Sequence, residues 1–406
     1  MKINTGRGTI PLITLAGIWS ISALNALPGL AVSPILGQLS VIFPHSSELS
    51  IQLLSSLPSL MIIPFILLSG KLTEKVNNIR LLQIGLAIFT VSGILYLLSV
   101  KMWQLVAVSA LLGVGSGLIV PLSTGLISRY FIGKYRVKQF GYSSAITNIT
   151  LVLATTATGY LAEVNWHLPF LVYLLPIISI ILSFYLNIDD LPKPKDADVG
   201  DNVEPAYNTS YGKKGIQVKY LIQLMLFYGL ATYLVIIVSF NLPFLMEEYH
   251  FTSGNSGIMI SLFFLAIMAP GLILNNILDR LKSLTLFGSL VSIALGLLLI
   301  WISHAEWTIG LGCILTGLGY GVIQPVVYAK TTRIAVERKV TLALAFVMTM
   351  NYLAILACPF IIDMFKSMLH VHTQQFAFVF NLVISLIVAV FAYLKRNSFI
   401  YDDQLQ

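Results

Sequence analysis

Six polar side chains in the second half of the chain have the types and spacing to form a binding surface. Thr316, Tyr320, Gln324 and Tyr328 recur every four residues, which puts them along one side of a helix, and Tyr228 and Thr232 repeat that spacing. Hydroxyls, an amide and aromatic rings in this pattern suit recognition of a lipophilic or amphipathic ligand rather than bond making. The equivalents of Tyr320, Gln324 and Tyr328 in the first half are Ser116, Val120 and Thr124, a plainer wall. Asn25, Asn148 and Asn351 each add one amide near the middle of another apolar run. An unsatisfied amide in hydrocarbon costs several kcal/mol, so each must face a ligand cavity or a neighbouring helix, and both readings stay open.

Groups that would break bonds are not assembled. The histidines, His45, His167, His250, His304, His370 and His372, are scattered, and the pair His370-x-His372 has no cysteine beside it. Gly113-x-Gly115-x-Gly117 would cradle a nucleotide only between a strand and a helix, and here it lies inside an apolar run. It reads as close helix packing with a bend at Pro121. We expect no enzyme activity, no metal and no cofactor.

The elements that hold these residues follow from hydropathy. Of 406 residues, 57% are hydrophobic and 10% charged, and the mean hydropathy is +0.87. Soluble domains carry about 25% charged residues, so a water-soluble fold is excluded. Marking every Asp, Glu, Lys and Arg leaves twelve uncharged runs, 8–47, 49–70, 81–100, 102–128, 139–162, 164–188, 220–246, 249–278, 283–305, 307–329, 340–362 and 367–394. A bilayer crossing needs roughly 20 apolar residues in a helix, which predicts an all-α polytopic membrane protein of twelve spans. With the N-terminus inside, all of the 24 basic residues except Lys101 and Lys366 fall on the inner face. The pI near 9.2 therefore reports membrane topology and not nucleic-acid binding. Both termini are expected in the cytosol, with the first run kept as an uncleaved span. Cys313 and Cys358 lie within apolar runs and give no disulfide framework.

The spans repeat. The short charged hinge Gly70 to Arg80, with Lys71, Lys75 and Arg80, separates spans two and three, and Asn275, Ile277, Asp279, Arg280 and Lys282 recur 205 residues later. Gly113-x-Gly115-x-Gly117-x-x-x-Pro121 returns as Gly317-x-Gly319-x-Gly321-x-x-x-Pro325 at a shift of 204, and Asn148 and Asn351 pair at a shift of 203. We expect two parallel six-helix bundles, 1–188 and 220–406, joined by an acidic, proline-containing cytoplasmic linker at 189–219. None of the seventeen acids lies mid-span. Glu163 and Asp363 stand at outer span ends, and Glu74 and Asp279 in the inner hinges.

Twelve spans, a central linker and the Gly70 hinge together resemble the major facilitator superfamily, and within it the drug:proton antiporter branch. The family's hinge reads Gly-x-Leu-x-Asp-Arg-x-Gly followed by basic residues. Gly70, Leu72, Glu74 and Lys75 match it or substitute conservatively, and Asn77 replaces the second glycine. The resemblance implies that Glu74, Lys75 and Arg80, with Gly70 at the turn and Asp279 and Arg280 in the second copy, close an inner gate. The branch's span-four arginine position holds Ser109, and its span-five Gly-Pro pair becomes Ala154-Thr155, so proton coupling stays open, with Glu163 and Asp363 as candidates.

The resulting expectation is a monomeric, multi-pass transporter of the cell membrane, embedded in the lipid bilayer. It would export small hydrophobic or amphipathic substrates, drug-like, bile-salt-like or lipid-like, by alternating access. The alternatives are an importer of a small polar nutrient and a uniporter that uses no protons.

Overall fold

Hydrocarbon offers no partner to a bare peptide group, so so apolar a chain is driven into helices that satisfy themselves. The computed structural model describes residues 2–6, 8–72, 77–131, 133–186, 216–335, 340–371, 373–396 and 398 and is almost entirely helical. A small hairpin of β1 (Lys2–Asn4) and β2 (Thr9–Pro11) precedes the first span. That span consists of two short helices, α1 (Leu12–Ala23) and α2 (Leu36–Ile42), separated by turns and a 3-10 segment, Ser33–Ile35. Next come α3 (Glu48–Leu72), α4 (Asn78–Leu98), α5 (Met102–Tyr130) and α6 (Gly133–Val164). The sixth span is a 3-10 stretch, Leu168–Leu174, followed by α7 (Pro176–Ser183). The second half contributes α8 (Val218–Glu248), α9 (Ser253–Leu281), α10 (Thr285–Ile302), α11 (Glu306–Arg333), α12 (Val340–Met368) and α13 (Gln375–Leu394). Among the described residues, ten helices, α3 to α6 and α8 to α13, are long and apolar enough to cross a membrane. The first and sixth expected spans are built from the shorter pieces. Most of the proposed linker lies outside the described residues. At its end, Gln217 donates its N–H to the Ile334 carbonyl and α8 begins at Val218.

The first span breaks where the sequence forces it to. Pro28 brings no N–H, and Gly29 has φ +79°, with the Ser55 carbonyl where a Cβ would sit. Only glycine takes that backbone and that approach without strain. Helix α6 helps satisfy the interrupted span, because Thr158 Oγ1 donates to the Ala31 carbonyl and Thr147 Oγ1 to the Ser22 carbonyl, each at 2.7 Å.

Packing repeats between the halves. Helix α5 lies against α3 and α4 as α11 lies against α9 and α10, and α1 meets α6 as α8 meets α12. The paired glycine runs explain how. Gly113 and Gly117 press on the α3 backbone at Pro58 and Ile62, while Gly115 presses on α4 at Gly85 and Phe89. Gly317 and Gly321 do the same to α9 at Phe263 and Ile267, and Gly319 to α10 at Ser289. Alternate glycines thus serve two neighbours from one helix, since residues two apart point to different sides. The halves meet through α6 on α9, α3 on α12 and α2 on α8.

An alanine at Gly115 would put its Cβ 2.8 Å from the Phe89 nitrogen and 2.9 Å from the Gly85 carbonyl, whereas at Gly125 it would meet nothing within 4 Å. We expect Gly115→Ala to lower stability by about 1–3 kcal/mol and Gly125→Ala to be neutral or slightly stabilising, as read from thermal unfolding in detergent.

Candidate functional site

The structure brings six of the nine candidate binding residues into one network on α8, α11 and α12. Asn351 Oδ1 accepts from Thr232 Oγ1 at 3.1 Å and from the Tyr320 hydroxyl at 3.2 Å. Tyr320 also lies 2.8 Å from Thr232 Oγ1 and 3.2 Å from the Tyr228 hydroxyl, which is in turn 3.1 Å from that of Tyr328. Gln324 Nε2 reaches Tyr328 at 3.5 Å. Rings reinforce the contacts, with Tyr228 stacked on Tyr320 at 6.2 Å and edge-on to Tyr328 at 5.6 Å. Tyr228, Thr232 and Tyr320 are buried, while Gln324, Tyr328 and Asn351 keep part of their surface free.

Each hydroxyl has a single proton. Thr232, Tyr320 and the Asn351 amide oxygen make three mutual contacts with only two hydroxyl protons among them, so these links cannot all be made at once. The network is therefore satisfied in several arrangements, and a ligand can replace one link without orphaning the rest. No member carries a formal charge.

The other three candidates sit elsewhere. Thr316 Oγ1 donates to the Gly312 carbonyl at 2.9 Å and packs into the notch at Gly296 on α10. A spacing of four drifts about 40° per step on a helix of 3.6 residues per turn, so Thr316 lies roughly 120° round from Tyr328. In the first half, Asn25 Nδ2 donates to Ser123 Oγ at 3.2 Å, and its buried Oδ1 has no partner among the described residues. Asn148 Nδ2 bonds back to the Ser144 carbonyl of its own helix at 2.9 Å.

Of the inner-gate candidates, Glu74 and Lys75 lie outside the described residues, and Gly70 falls in the last turn of α3. Arg80, Asp279 and Arg280 are exposed. Asn77, standing where the family pattern has glycine, caps α4 by accepting from the Ile79 N–H at 2.8 Å. Beside it, Asn78, with its amide oxygen turned toward α5, accepts from both terminal nitrogens of the Arg129 guanidinium.

At the opposite end of the helices, Glu163 Oε1 accepts the Gly254 N–H at 3.0 Å, so an acid of the first half sits on the N-terminus of α9 in the second. Asp363 is exposed on α12. Sequence reasoning missed Ser261, which lies 2.7 Å from both Thr155 and Thr156 and donates to the Val152 carbonyl at 3.0 Å. It also missed the ion pair of Glu48 with Lys366 at 2.9 Å. Gly159 and Gly257 let α6 and α9 touch backbone to backbone, and Gly37 meets the Pro243 carbonyl. These ties between the halves all lie toward the end of the bundle at which α6 ends and α9 begins. Among the described residues no three His, Cys, Asp or Glu side chains group as a metal site.

Paired helical bundles, sealed to each other on one face and holding an uncharged polar wall within the membrane, define a multi-pass membrane transport protein for small molecules. The Major Facilitator Superfamily matches residues 14–359 and again 220–400, and the chain belongs to that family. It is 26% identical over 289 residues to the quinolone resistance protein NorA of Staphylococcus aureus, covering 70% of this chain and 72% of that protein. It is 29% identical over 126 residues to the riboflavin transporter RibZ of Clostridioides difficile, covering 31% and 27%. Among solved structures, the nucleoside transporter NupG superposes with TM-score 0.70 at 15% identity over 95% of this chain and 100% of its own. The peptide transporter POT superposes with TM-score 0.73 at 14% identity over 95% and 94%. These two likenesses concern the fold alone.

Thr232→Val and Tyr320→Phe each remove a donor to Asn351 and keep the shape. Each should cost about 0.6–1.7 kcal/mol, and the double variant should depart from additivity because both act on one oxygen. A double-mutant cycle in detergent unfolding checks this, and strict additivity would dissolve the network.

Proposed function

We propose that the protein exports uncharged hydrophobic or amphipathic small molecules from the cytosol across the cell membrane by alternating access, acting as a monomer with both termini inside. The observation that carries this reading is the charge-free tyrosine, threonine and amide wall of Tyr228, Thr232, Tyr320, Gln324, Tyr328 and Asn351. A cationic ligand finds no counter-charge on that wall, and burying an unpaired charge is costly. A neutral ring system finds aromatic faces and a few exchangeable hydrogen bonds. The similarity to NorA, a quinolone resistance protein, supports efflux. An importer of a small polar nutrient would need free donors and acceptors in quantity, and here these side chains spend most of theirs on one another. The exposed hinge cations Arg80 and Arg280, with Glu74, Lys75 and Asp279 beside them in sequence, act at the inner gate, with Gly70 at its turn.

For coupling, Glu163 is the preferred acid. Its carboxylate ties the halves at the α9 N-terminus, so protonation would weaken that tie and bias opening at the outer face. Among the described residues Asp363 makes no comparable bridge, and it is the weaker candidate.

Two measurements test the proposal. In inverted vesicles a panel of neutral, anionic and cationic fluorescent amphiphiles should show uptake of the neutral ones. Tyr320→Phe and Gln324→Ala should each slow that uptake about tenfold, the factor that 1.4 kcal/mol supplies. Preferential uptake of cations, or parental rates in both variants, would contradict the substrate reading. Under an imposed proton gradient, Glu163→Gln should abolish the gradient's effect on uptake and Asp363→Asn should leave it. An unchanged gradient dependence in Glu163→Gln would remove that residue from the proton path.

A further inference from the structure

We propose that Glu48, Lys366 and Gln374 form a latch that holds the outer mouth shut and sets how often the protein opens outward. On the topology inferred from the charges, Lys366 is one of two basic residues on the outer face, the other being Lys101. A cation kept where cations are otherwise avoided calls for a local reason. Its surroundings supply one.

Lys366 Nζ donates to Glu48 Oε2 at 2.9 Å and to Gln374 Oε1 at 3.0 Å. Gln374 Nε2 donates to Glu48 Oε1, which closes a three-membered ring in which both carboxylate oxygens are used. The Gln374 backbone N–H in turn reaches Glu248 Oε2 at 3.3 Å, at the outer end of α8. Glu48 opens α3 in the first half, Lys366 is in the last turn of α12, and Gln374 precedes α13 in the second. The ring thus straddles the seam along which α3 and α12 would part in an outward-open form.

An exposed ion pair contributes little, because water screens it. In this one the lysine side chain retains only 11% exposure, while the glutamate keeps 39%. The pair is sheltered enough to hold and wet enough to release. Release is also eased by where the charges sit. A glutamate in a first helical turn and a lysine in a last turn each keep a favourable helix-end dipole after they separate. A reversible latch needs that property, since a charge stranded without compensation would lock the closed form permanently.

The proposal rests on membership of the transporter family and not on the substrate reading, and its test involves no substrate. Ser239 is fully buried, without a hydrogen-bond partner among the described residues, and one turn from Pro243, which meets Gly37 of the first half. It marks the closed outer seam. In a Cys313→Ala, Cys358→Ala background, Ser239→Cys is labelled with a membrane-impermeant maleimide from the outside of right-side-out vesicles. Glu48→Gln and Lys366→Gln should each speed labelling roughly 5- to 30-fold, the population change that 1–2 kcal/mol produces. Reversing the pair, Glu48→Lys with Lys366→Glu, should return labelling toward the parental rate. Parental labelling in Glu48→Gln, an isosteric change at a half-exposed position, would overturn the latch even if the lysine variant failed to fold. So would fast labelling that the reversed pair does not slow.

Discussion

A peptide group in hydrocarbon must find its partner within the protein, and most features of this chain trace to that demand. It forces long self-satisfied helices, and it makes the break in the first span expensive unless neighbours intervene. Around the break at Pro28 and Gly29, threonines of α6 supply hydroxyl donors to the carbonyls of Ser22 and Ala31. With no hydrophobic drive between helices inside lipid, association depends on close approach. The alternating glycines of α5 and α11 provide it, each helix settling against two neighbours at once.

The same constraint shapes the site. Polar side chains at mid-bilayer survive by bonding to one another, and the three tyrosines, threonine and asparagine of α8, α11 and α12 do so with more oxygen neighbours than protons to serve them. That surplus makes the wall adaptable without making it charged. In the first half Asn25 donates to Ser123, and its amide oxygen is buried and unpartnered among the described residues. Outside this layer, Ser261 against Thr155 and Thr156, and Glu163 on the N-terminus of α9, stitch the halves together toward one face. One set of contacts is permissive and the other restrains, and alternating access requires both.

The architecture was largely legible in the chain, because span length and the glycine repeat are both one-dimensional signals. Spans two to five and seven to twelve follow the uncharged runs closely. The break in the first span at Pro28 and Gly29 is hidden from hydropathy, which ignores backbone conformation. Span seven's Tyr228 and Thr232 and span ten's Tyr320, Gln324 and Tyr328 converge as their spacing suggests, whereas helical drift carries Thr316 to α10. Contacts across the seam were invisible. Nothing in sequence spacing pairs Ser261 with Thr155, or Glu48 with Lys366 318 residues away.

The proposed export requires that substrate reside on the tyrosine wall. A neutral amphiphile carrying a diazirine, photolysed in reconstituted protein and mapped by peptide mass spectrometry, reads that directly. Adducts concentrated on α8 and α11 around Tyr228, Gln324 and Tyr328, and displaced by unlabelled compound, are the predicted result. Adducts spread over exposed lipid-side residues such as Trp103, Trp307 and Leu394, undiminished by competitor, would contradict it.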